Sequence, residues 1–112
     1  MITIPFIKRY HKLLGRQFST VRGKSWLKKM HAGDRHRCKT PDGEFDVWVR
    51  KVEPARLGDL TLEFLKHDAE YPGFIINEKQ DFINLLNSFR APAWQQATLD
   101  SEVTVVYLER CE

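Results

Sequence analysis

The 112-residue sequence has no run of about 18 apolar residues, so no segment reads as a membrane-spanning helix. Its opening stretch, MITIPFIKRYHKLLGRQ, lacks a long apolar core followed by small residues, and it does not read as a secretory signal. Cysteine is scarce. Cys38 and Cys111 form no Cys-x-x-Cys pair, and free thiols in a cytoplasmic protein are expected rather than a disulfide. His31 and His36 are five apart with no carboxylate to complete a ligand set, so no metal is expected. The six glycines fall singly along the chain. That leaves no phosphate-cradling loop, and no nucleotide cofactor is expected. A Gly-x-Ser-x-Gly nucleophile elbow is also missing. Repeats and low-complexity linkers are absent as well, so residues 1–112 read as one domain.

What is present is an ordinary core-forming composition, 42% hydrophobic and 12% aromatic, which excludes disorder. The net charge of +3 hides an asymmetry. Residues 1–51 carry 13 Lys and Arg against 4 Asp and Glu, and residues 52–112 carry 5 against 11. A basic half joined to an acidic half places a positive face on a small domain or pairs the halves across the fold.

Hydrophobic spacing predicts a helix over Pro5–Leu14, with Phe6, Tyr10, Leu13 and Leu14 on one side and Gly15 as its stop. Phe18–Arg22 alternates as a short strand, and Gly23–Met30 is a loop or one to two helical turns. Pro41-Asp42-Gly43 between Arg35–Thr40 and Glu44–Val52 signals a hairpin, because proline presets φ and glycine supplies positive φ. A helix is expected over Leu57–His67, then a loop over Asp68–Phe74. A second helix should be capped by Asn77 with Gln80, bury Phe82, Ile83, Leu85, Leu86 and Phe89, and end at Pro92. Val103–Leu108 is nearly all apolar and reads as a central or barrel strand. The mixture, without a regular strand–helix–strand rhythm, predicts an α+β domain: a small, mostly antiparallel β-barrel with three to four covering helices.

The order of features resembles a known family. Gly15-Arg16-Gln17-Phe18-Ser19-Thr20-Val21-Arg22 is similar to the Gly-x-Lys-x-x-(Glu/Thr)-x-Arg signature of the ASCH domain, a relative of the PUA domain. Gly33-Asp34 before a strand, Leu57-Gly58-Asp59-Leu60-Thr61, the helix around Asp81–Phe89 and the strand Val103–Glu109 follow in the family's order. The resemblance implies a PUA-like barrel with a cleft on one side, and RNA or a modified nucleoside as partner. It also implies, for some members, deacylation of N4-acetylcytidine or ribonuclease activity. In the amidohydrolase type it would put a lysine at position 17, a threonine at 20 and an acid after the middle helix. Thr20 matches, Asp68 fits the acid better than Glu70, and Gln17 replaces the lysine. An amide cannot act as base or nucleophile as an amine can, though it can read a base edge by hydrogen bonding.

The resulting expectation is a basic cleft that binds RNA or a nucleoside. Its candidate contacts are Arg16, Gln17, Arg22, Lys24, Trp26, Lys28, Arg35, Arg37 and Trp48. Basic residues interleaved with an aromatic suit phosphates and stacked bases. The alternative is a small hydrolase with Thr20 and Asp68 as catalytic pair, and Lys24 as the neighbouring source of an amine. A third reading is an interaction module without a ligand. Each residue also has a plain structural reading: Thr20 as a strand residue, Asp68 as a turn former, Arg22 in an ion pair, Trp26 in the core, Trp94 as packing or a lid.

Overall fold

The computed structural model describes residues 1–89, 94 and 96–111. Five strands, β1 (Thr3–Pro5), β2 (Gln17–Gly23), β3 (Arg35–Thr40), β4 (Gly43–Arg56) and β5 (Glu102–Arg110), form one sheet in the order β1-β3-β4-β5-β2. Among the described residues three α-helices accompany it: α1 (Trp26–Lys29), α2 (Leu62–Ala69) and α3 (Lys79–Ser88). The architecture is α+β, with the sheet curled into a half-barrel. All strand pairs are antiparallel except β1 with β3.

The hairpin forms as its turn residues dictate, with Gly43 at φ +134. β4 runs past the expected Val52 to Arg56 and contains Pro54. Its ladder with β3 ends at Trp48, and Val49 still bonds the Asp34 carbonyl and the Gly33 N–H, so from Arg50 onward β5 is its one strand partner. A proline without an N–H is tolerated there. The strand Val103–Leu108 is central as expected, paired to β4 on one side and β2 on the other. Partners in register share a face. Ile4, Cys38, Val47, Val49, Val106, Leu108 and Phe18 line the inside and are buried. Both cysteines are free, and burial pushes the Cys38 thiol up to about 12.

Several local expectations are corrected. Pro5–Leu14 is not a helix. Phe6 N–H donates to the Lys39 carbonyl at 2.8 Å, which continues the β1–β3 pairing, and only His11–Leu14 coils, as a 3-10 turn. The apolar residues foreseen there are still buried, except Leu14. Non-local pairing has overridden a helical spacing. Leu57–Asp59 is likewise a 3-10 turn, and α2 begins only after Thr61, whose hydroxyl accepts the Phe64 N–H at 3.1 Å. Asp68 therefore lies in the last turn of α2, not in the loop that follows it. Glu78, not Asn77, caps α3, and the Asp81 carboxylate accepts the N–H groups of both. The expected stop at Pro92 lies outside the described residues.

The two edges of the half-barrel approach one another. Arg22 on β2 donates through Nη2 to the Pro5 carbonyl on β1 at 2.6 Å. Phe6 and Phe18 meet edge to face across the same gap, 6.0 Å between centroids. This seam positions the site.

Candidate functional site at the sheet seam

A cleft of about 200 Å³ opens along the free edge of β2. One wall is Pro5, Phe6, Ile7 and Tyr10, and another is Phe82, Leu85, Leu86, Phe89 and Trp94. Thr20 and Arg22 from β2, Lys12 from the 3-10 turn and Asp68 from α2 supply its polar groups.

Lys12 and Asp68 form a buried ion pair. Nζ lies 3.1 Å from Oδ1, and the side chains are 3% and 6% exposed. Ser19 donates its hydroxyl to the same Oδ1 at 2.9 Å. The ammonium also faces the Phe6 and Tyr10 rings, 5.3 Å from each centroid. Burial pushes the Lys12 amine down from its ordinary range, and the adjacent Asp68 carboxylate opposes that push. Tyr10 is pushed up, by burial first and by Asp68 second.

Arg22 is mostly committed. Nε donates to Thr20 Oγ1 at 3.0 Å, Nη2 holds Pro5, and the guanidinium lies between Phe6 at 4.9 Å and Trp26 at 5.1 Å. Burial pushes it below its usual range, with Asp68 countering. It is a strut across the seam that also forms part of the cleft wall.

The structure thus brings Thr20, Arg22 and Asp68 together, with Trp26 behind Arg22. It does not bring Gln17 and Arg16 to them. Gln17 bonds Glu109 at 2.8 Å, Arg16 lies 3.6 Å from Glu109, and Gln17 lines a separate groove under α2. Lys24 pairs with Glu102 at 2.7 Å by a different surface hollow, so it brings no amine to the cleft. Lys28 is an exposed residue of α1. Arg35 and Arg37 both hold Asp46, and Trp48 lies under Arg35. Glu70 binds Lys66 and the Ile76 N–H and takes no part in the cleft.

The expected single positive face is also corrected. Lys12, Arg16, Lys24, Arg50 and Lys51 from the basic half each lie against an acid of the other half. Sequence reasoning missed Lys12, Tyr10 and Phe6 as cleft residues because it placed them on an amphipathic helix. A lysine set between Phe6, Tyr10 and Leu13 carries no periodic signal of burial. Trp94, foreseen as packing or lid, is buried and lines the cleft. Ser19 was legible only as a strand residue.

No family model matches the sequence. The fold is similar to the crystal structure of protein EF3133 from Enterococcus faecalis V583, whose family model is DUF984, with a TM-score of 0.62 at 14% identity. The match covers 88% of this chain but 63% of that one, and it is a likeness of fold. Among the described residues no helix is long and apolar enough to cross a membrane. In sequence the chain is similar to the uncharacterized protein MJ0364 of Methanocaldococcus jannaschii, 43% identical over 112 residues that make up 98% of this chain and 96% of that one. With the half-barrel and its seam cleft described, that identity over nearly the full length of both chains means that this protein and MJ0364 belong to one family.

Proposed function

We propose that the chain is an ASCH-type, PUA-like domain whose seam cleft binds a nucleoside, free or as part of an RNA. One observation carries this reading: a buried Lys12–Asp68 pair at the base of a cleft walled by Phe6, Tyr10, Phe82, Phe89 and Trp94. Aromatic and aliphatic walls suit the faces of a planar ring. The ammonium, the carboxylate and the Thr20 hydroxyl offer donors and an acceptor to its polar edge. A volume of about 200 Å³ suits a small ring-bearing ligand rather than a duplex. The test is titration with cytidine, N4-acetylcytidine and a short single-stranded RNA at two salt concentrations. Saturable binding that is lost in Asp68→Asn supports the reading. No binding of any of the three at low salt overturns it.

Hydrolysis is a second reading, favoured by Lys12 alone. Position 17 holds an amide, yet Lys12 brings an amine to the cleft that Thr20 and Asp68 share. Burial eases its loss of a proton, as a general base requires. Such a base would take a proton from water as the oxygen attacks an acyl carbonyl, and return one to the departing amine. The products are a carboxylic acid and a free amine, with one water consumed. Turnover of N4-acetylcytidine that is lost in Lys12→Gln and Thr20→Ala supports this. Absence of turnover at high enzyme concentration rejects it and leaves binding intact.

A further inference from the structure

The outer face of the sheet, away from the seam, carries arginines whose arrangement the cleft does not explain. Strand register sets Arg35, Trp48, Glu109 and Gln17 in one row across β3, β4, β5 and β2. At about 4.8 Å per strand the row spans about 14 Å. The Arg35 guanidinium lies 5.6 Å from the Trp48 ring centroid. Arg35 and Arg37 both hold the Asp46 carboxylate, each at 2.9 Å. Arg50 holds Glu109 at 3.3 Å, and Gln17 donates to the other oxygen of the same carboxylate.

The layering within this cluster is informative. The Asp46 and Glu109 side chains are each 16% exposed, whereas Arg35, Arg37 and Arg50 are 50%, 49% and 52% exposed. The acids lie beneath and the guanidiniums form the outer layer, in excess over the carboxylates that orient them. Arg37 reaches Asp46 through Nε, and its side chain is half exposed. Exposed pairs elsewhere, such as Arg9–Asp42, Lys24–Glu102 and Lys51–Glu53, set one cation against one acid with both partners exposed. From Arg50 and Gln17 the surface runs on into the groove under α2, where Tyr107 and Phe64 offer ring surface.

We propose that this arginine–tryptophan band binds the backbone of a single-stranded nucleic acid. Planar guanidiniums held in place by buried acids match phosphate oxygens through paired N–H groups at little cost in side-chain ordering. The Arg35 guanidinium, layered over the Trp48 ring, offers a plane on which an unpaired base stacks. Unpaired strands present such bases, and duplexes do not. The band stands apart from the seam cleft and does not rest on the nucleoside reading.

The test is fluorescence anisotropy of a labelled, mixed-sequence single-stranded RNA at about 50 and about 200 mM salt. The double variant Arg35→Gln, Arg37→Gln is expected to weaken binding about tenfold at the lower salt and to reduce the salt slope by about 1.4, at about 0.7 per phosphate contact. Trp48→Leu is expected to weaken binding with the slope unchanged. Lys24→Gln removes a charge elsewhere and should move neither. The double variant keeps whatever nucleoside affinity the wild type shows in the cleft, so the two readings fail separately. Absence of strand binding at low salt, an unchanged slope in the double variant, or equal competition by polyglutamate overturns the proposal. Should the double variant melt early, Arg50→Gln takes its place. Cross-linking with thiouridine-containing RNA adds a second readout, with attachment at Trp48 or Tyr107 supporting the band and attachment confined to the cleft overturning it.

Discussion

Lys12–Asp68 at the seam and Arg37–Asp46 on the outer face are both cation–carboxylate contacts near 3 Å, at 3.1 and 2.9 Å. The first is almost dry, and the second has one partner half in water. For the dry pair, removing both charges from water costs several kcal/mol per ion, and the contact does little more than offset it. Its members are nevertheless bound to one another, because either one alone would be a bare buried charge. For the wet pair, solvent screens the attraction, and the contact orients a side chain more than it stabilises the fold. A buried pair in a cleft thus looks like a site held at the expense of stability. An exposed pair in a band looks like a surface held ready at almost none.

The sharpest way to break the comparison is to remove one partner on each side. Asp68→Ala strands the Lys12 charge and should destabilise the fold by about 3–5 kcal/mol in a urea melt. The double variant Lys12→Met, Asp68→Leu should recover most of that loss, because a well-packed apolar pair of similar volume needs no compensation. If the double variant is as unstable as Asp68→Ala, the pair serves the fold rather than the site. Arg22→Met should cost about 2 kcal/mol, from the charge-assisted bonds to Pro5 and Thr20. It should also raise amide exchange at Phe6, whose N–H secures the β1 side of the seam.

The smallest effect belongs to the outer face. Arg37→Gln should lower the melting midpoint slightly at neutral pH, and the loss should shrink in high salt. Its signature is that this loss fades as the pH falls. Hydrogen bonds from Arg37, then from Arg35, hold the Asp46 carboxyl below its ordinary range. The stabilisation that this gives is present above the unfolded carboxylate value and is lost as pH falls through the lowered one. Removing Arg37 should therefore flatten the acid limb of the stability profile, as measured by melts between about pH 2 and 5.

Much of the fold was legible because local chemistry specified it. The Pro41-Asp42-Gly43 turn, the buried stripe Phe82–Leu86 and the apolar run Val103–Leu108 each carry their structure in adjacent residues. β1 was not legible, since three residues with one buried side chain become a strand only by meeting β3. The site was half legible. Thr20, Arg22 and Asp68 were found, and they do converge. Gln17 lies two places from Ser19 on one face of β2, while Thr20 faces the other way, so adjacent motif positions diverge to opposite sides of the sheet. A linear motif does not disclose that alternation until the strand's faces are assigned. Lys12 was hidden because burial of a lysine depends on a partner 56 residues away.

The place of β5 bears on the order of assembly. β2 is the fourth neighbour along the sheet from β1, and its one strand partner is β5, with Gln17 opposite Glu109. During synthesis β2 therefore emerges long before anything can pair with it. Hairpin β3–β4 can form at once from neighbouring residues, whereas β2 must wait while about eighty residues follow it. The cleft inherits that delay, because Thr20 and Arg22 have no fixed position until β5 slots between β4 and β2. Folding should then show a fast phase confined to the hairpin and a slower one that closes the sheet and creates the cleft together.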